Sequence, residues 1–187
     1  MSSCHLLLES YLKDCPHNQA EAFTQIEWFL ELIDEDVNSS IVLRALVDGN
    51  KELIKAARSY ISTFAHKIVA KGRRPEYLDL FAGMTENSGL LDCRVRTVET
   101  DISNYLTSRQ WQGDVLLWCA ADSSTEYADR TKAMAPYLAN DALVEEHELR
   151  DDLRYHIRLL NVLAGCHLGP KLQAIYHFQD IISAILD

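Results

Sequence analysis

The sequence predicts an all-α fold: an armadillo/HEAT-like helical solenoid or an irregular helical bundle of about eight to nine helices. Three observations predict it. Apolar residues recur at three- and four-residue spacing from Leu6 to Leu186, with no convincing run of alternating strands and helices. The 187 residues are 48% hydrophobic, enough for a sizeable core. Only four prolines and seven glycines interrupt them, which argues against disorder or a long linker. The expected organisation is a single domain over residues 1–187.

Each element has its own signal. Leu6, Leu7, Tyr11 and Leu12 form a short first stripe that Cys15-Pro16 ends. Ala20, Phe23, Ile26, Phe29, Leu30 and Ile33 form the stripe of a second helix, broken by Asp34-Glu35-Asp36. Asn38-Ser39-Ser40 offers an N-cap for a short helix over residues 41–47. Asp48-Gly49-Asn50 closes that helix and caps a long one over 51–70, with Leu53, Ala57, Tyr60, Ile61, Phe64 and Ile68 inward and Gly72 after its end. Pro75 suits the first turn of the next helix, which runs through Tyr77, Leu80, Phe81 and Met84. After a loop at Asn87-Ser88-Gly89, Leu91, Val95, Val98, Ile102, Tyr105 and Leu106 keep the helical spacing.

Gln112-Gly113-Asp114 reads as a turn, and residues 115–119 form an apolar run that is extended or helical. Ser123-Ser124-Thr125-Glu126 is a capping-type start for a helix over 127–138 that Pro136 ends or kinks. The strongest helix spans 149–166. Gly169-Pro170 stops it, and a last helix covers 175–186. Within the strong helix, residues 155–166 leave little polar face, so it is expected to be buried and central. Gly83, Gly89, Gly113, Gly165 and Gly169 are isolated and read as helix stops or turns.

Charge excludes some functions. A net charge of −10 speaks against nucleic acid and against an anionic membrane surface. No run of about 18 apolar residues occurs, and the N-terminus lacks the pattern of a signal peptide. The five cysteines are scattered and form no C-x-x-C, which suggests reduced, buried thiols in a cytosolic protein.

No constellation points to catalysis or to a cofactor. Cys4, His5, Cys15 and His17 do not match a zinc signature. His156 and Cys166 are ten residues apart, so on one helix they lie about 15 Å apart and about 80° off in direction. They cannot form a nucleophile pair there, and His156 reads as a packing histidine. The acidic runs Asp34-Glu35-Asp36 and Glu145-Glu146-His147-Glu148 lack a calcium-loop pattern and read as solvated. Lys67, Lys71, Arg73 and Arg74 gather at a helix C-terminus, where cations complement the dipole. The expectation is a protein that is not an enzyme, with no metal and no cofactor.

Three segments come in a suggestive order: Pro75-Glu76-Tyr77-Leu78-Asp79-Leu80-Phe81, then Gly113-Asp114-Val115-Leu116-Leu117-Trp118, then Tyr155-His156-Ile157-Arg158-Leu159 with Leu163-Ala164-Gly165-Cys166. Leu12-Lys13-Asp14-Cys15 with Asn18-Gln19 precedes them, and Gln179-Asp180-Ile181-Ile182 follows. In this order the chain resembles a helical domain, the RIH type, in the cytosolic assembly of the inositol trisphosphate and ryanodine receptors, the intracellular calcium-release channels. It departs from that pattern in a shorter connection from Cys166 to Asp180 and in the acidic residues before Tyr155.

The resemblance implies a cytosolic scaffold segment that relays conformational change and contacts other domains or subunits of a homotetrameric membrane channel. It implies a place on the cytosolic face of the endoplasmic reticulum or an equivalent calcium store. The family's ligand-binding and pore regions are not matched, so tight binding of inositol trisphosphate is not expected. Tyr77, Leu80, Tyr155, Ile157, Leu160, Leu163 and Cys166 are the expected structural core. The alternative is a free-standing helical-repeat adaptor that binds a partner protein in a groove.

Overall fold

A computed structural model describes residues 3–35, 38–85, 95–108, 110, 112–115, 128, 132 and 151–166. The fold is all-α, and no strand occurs among the described residues. The helices are α1 (Ser3–Leu12), α2 (Pro16–Phe23), α3 (Ile26–Leu32), α4 (Ser39–Val47), α5 (Lys51–Ala57), α6 (Ile61–Lys71), α7 (Asp79–Thr85), α8 (Arg96–Leu106), α9 (Gln112–Val115) and α10 (Asp151–Gly165). Short 3-10 turns at Arg58–Tyr60 and Pro75–Leu78 join α5 to α6 and lead into α7.

Local chemistry explains most boundaries. Pro16 occupies the first turn of α2, where the missing N–H costs nothing. Asn50 caps α5, its side chain accepting from the Leu53 N–H at 3.3 Å. Gly72 ends α6 at φ 92°, a conformation that favours glycine, and its N–H donates to the Ile68 carbonyl.

Several boundaries differ from the sequence expectation. The helix expected over 20–33 is two, broken at Thr24-Gln25, where the Thr24 hydroxyl donates to the Glu21 carbonyl. The long helix over 51–70 is interrupted by a 3-10 turn. Asn38 does not cap α4; it is itself in the right-handed helical region, and the helix starts at Ser39. Gln112-Gly113-Asp114, expected as a turn, begins the short helix α9. The features expected at 86–94, 116–127, 133–150 and 167–187, including Cys93, Cys119 and the last helix, lie outside the described residues.

The hub is α4. Ser39, Ser40, Val42, Leu43, Leu46 and Val47 are all buried, and α1, α2, α3, α5, α7 and the Pro75–Leu78 turn pack against it. The helix over 155–166, expected to be central, packs among the described residues on the Pro75–Leu78 turn and on α7. That helix, α10, is amphipathic: Tyr155, His156, Leu159, Val162, Leu163 and Cys166 face inward, while Ile157, Asn161 and Ala164 face out. Of the expected core residues, Tyr77, Leu80, Tyr155 and Leu163 have no exposed surface and Cys166 is buried. Leu160 is only partly buried. Ile157 is 36% exposed and is not a core residue, because it lies beside Asn161 on the outer face.

Two glycines set the close approach of these helices. A Cβ on Gly83 of α7 would sit 2.6 Å from the Arg44 carbonyl oxygen of α4. A Cβ on Gly165 of α10 would sit 2.9 Å from the Thr85 carbonyl oxygen of α7. Both are close-packing glycines; Gly83 lies within α7 rather than at a helix stop or turn, whereas Gly165 is also the last residue of α10.

Candidate functional site

The segments that begin α7 and form α10 converge. α10 packs on the Pro75–Leu78 turn and on α7, bringing Tyr77, Leu80, Tyr155 and Leu163 into one hydrophobic cluster. At their junction is Asp79, whose side chain is 4% exposed. One carboxylate oxygen accepts from the Ser40 hydroxyl of α4 at 2.5 Å; the other is contacted by the Arg158 guanidinium of α10. Burial pushes the Asp79 carboxyl upward, and Arg158, Ser40 and Arg44 oppose that push. A buried carboxylate without such partners would be strongly unfavourable, so Asp79 ties three helices together through its need for donors.

A second polar centre joins α3 to α6. Asp34 accepts from Lys67 at 2.7 Å, from Lys71 at 2.5 Å and from the Tyr77 hydroxyl at 2.9 Å. The Arg74 guanidinium stacks over the Tyr77 ring at 5.2 Å. Burial pulls the Asp34 carboxyl up, but the hydrogen bonds from Lys67, Lys71 and Tyr77 win and hold it at about 2. Asp34 is therefore a structural anion rather than part of a solvated run. Lys67 and Lys71 are engaged within the fold.

A third tie fixes α2. Gln19 Nε2 donates to the carbonyls of Ala45 and Asp48 at 2.9 Å each, and Asn50 donates to Gln19 Oε1 at 3.1 Å. Gln19 thus satisfies two carbonyls at the C-terminal end of α4. Beside it, Glu9, Lys13, Asp14, Arg44 and Asp48 line a cleft of about 230 Å³. That is below the roughly 300–1,000 Å³ of drug-sized ligand sites. Asp48 Oδ1 accepts no hydrogen bond but is closed to solvent, so it is not presented to a ligand.

The thiols and histidines do not assemble. Cys4 is exposed, Cys15 partly buried and Cys166 buried, which corrects the expectation that the thiols are buried as a set. Among the described residues no three His, Cys, Asp or Glu side chains are placed to hold a metal ion. His156 is 3% exposed; burial first, and the charge of Arg73 second, lower its imidazole to about 4. The Tyr155 hydroxyl is buried with no hydrogen-bond partner, and burial raises it well above the ordinary phenol.

Sequence reasoning missed Asp79, Asp34 and Gln19 as tying residues. The available signal was a charged residue inside an otherwise apolar run, as in Tyr77-Leu78-Asp79-Leu80-Phe81. No protein-family model matches the chain, and no curated protein matches it.

Proposed function

We propose that this chain is a cytosolic helical scaffold segment of an inositol trisphosphate receptor-like intracellular calcium-release channel. In this reading it is an RIH-type domain that relays conformational change and contacts other domains or subunits of the same channel. It works without catalysis, a cofactor or nucleic acid. The whole protein is a homotetrameric membrane channel of the endoplasmic reticulum or an equivalent calcium store, with this segment on the cytosolic face.

The observation that carries the reading is the ordered set of motif segments. Two of them, around Tyr77-Leu78-Asp79-Leu80-Phe81 and Tyr155-His156-Ile157-Arg158-Leu159, lie some 75 residues apart in sequence, yet they pack on each other and share the Asp79–Arg158 ion pair. The all-α architecture supports the same reading. Among the described residues no helix is long and apolar enough to cross a membrane, in keeping with a segment that leaves the pore to another part of the protein.

The adaptor reading draws on the exposed apolar side chains Leu6, Leu7 and Tyr11 of α1 and Trp28 of α3. The native transcript separates the two. A channel segment belongs to an open reading frame that also encodes several apolar helices of about 20 residues. A complete open reading frame with no such helices contradicts the channel and favours the adaptor.

A further inference from the structure

We propose that Asp79 is the positioning residue through which displacement of α10 is transmitted to the hub helix α4. The inference rests on the relay reading above and names the route within the domain. Asp79 divides its carboxylate between two helices, Ser40 of α4 on one oxygen and Arg158 of α10 on the other. Its side chain is almost fully enclosed, so water cannot replace a donor that moves away. If Arg158 shifts, the carboxylate either follows it and leaves Ser40 or stays and is left with a weakened partner set.

Among the described residues, the contacts of α10 on α7 and of α7 on α4 are tight. Gly83 seats α7 against the α4 backbone and Gly165 seats α10 against the α7 backbone, both at distances that leave no room for a methyl group. Arg44 adds a second positive charge from α4 toward Asp79, so α4 responds to a change at Asp79 through charge as well as through the Ser40 hydrogen bond. The three helices form a contiguous network of the kind that carries coupling energy.

The test is a double-mutant cycle on the 187-residue chain, pairing Ser40→Ala with Arg158→Met and repeated in an Asp79→Asn background. The two positions are far apart in sequence and are joined by one carboxylate. Their effects on the folding equilibrium should depart from multiplicativity by fivefold or more, and by less than twofold once Asp79 is asparagine. Multiplicative effects in the parent, or a departure that survives Asp79→Asn, overturn the proposal.

If the triple variant does not fold, hydrogen exchange of Arg158→Met alone decides. Amides of residues 41–47 should exchange at least tenfold faster, with those of α8 unchanged. Acceleration confined to α10, or equal in every helix, overturns it. These measurements concern the chain alone, whereas channel membership is decided by the transcript, so either reading can fail without the other.

Discussion

Single residues in this fold are constrained by contact rather than by type. At Gly83 the obstacle to a side chain is the Arg44 backbone, which cannot rotate away. Gly83→Ala should therefore destabilise by about 1–3 kcal/mol, the range for overpacking a tight core, as read by chemical denaturation. Tyr155→Phe removes a hydroxyl that is buried without a partner, so it should leave stability unchanged or raise it.

His156 gives the pH dependence its sign. Its imidazole is held at about 4 in the fold against an ordinary value of 6.5, so between these values the unfolded chain binds the extra proton. Its contribution is complete above pH 6.5 and is lost as pH falls toward 4, by about 3 kcal/mol. Asp34 does not interfere, since its contribution is present above 3.8 and declines only toward about 2. Comparing the chain with His156→Gln by denaturation from pH 7 to pH 4 isolates the effect; equal pH slopes would refute it. The burial of His156 was legible in its helical register with Tyr155 and Leu159. Its lowered proton affinity was legible only in part: burial, the larger cause, follows from that register, whereas the charge of Arg73 comes from a residue remote in sequence.

Helices show where sequence patterning succeeds and where it stops. The span of α10 and the cap of α5 were legible, since periodicity and capping are local. The inner face of α10 was not read correctly. Its apolar outward residues masked a stripe of Tyr155, Leu159, Val162, Leu163 and Cys166, and an exposed Ile157 violates no physical rule. Leu163→Ala, at a site with no exposed surface, should cost about 2–5 kcal/mol. Leu160→Ala, at a half-buried site, should cost clearly less, and equal losses in thermal or chemical unfolding would contradict this placement. Gln19→Ala should cost about 1–3 kcal/mol, because it strips the donor from two carbonyls at the end of α4. The polar ties through Gln19, Asp34 and Asp79 join residues 26 to 79 positions apart, and no local pattern announces such pairings.

At the scale of the molecule, the fold class followed from periodicity, but the hub did not. α4 is of middling length, and among the described residues it is central because α1, α2, α3, α5 and α7 all pack on it. The candidate function was legible only as an ordered resemblance between segments, two of which meet around Asp79 and Arg158. The most direct measurement of the central claim is calcium release from the stores of permeabilised cells that carry the native gene, compared with cells in which it is disrupted. The channel account predicts that release triggered by inositol trisphosphate or by calcium itself is lost or strongly reduced, while the stores still fill. Undiminished release by both triggers after disruption, with the gene product recovered away from the store membrane, would contradict it.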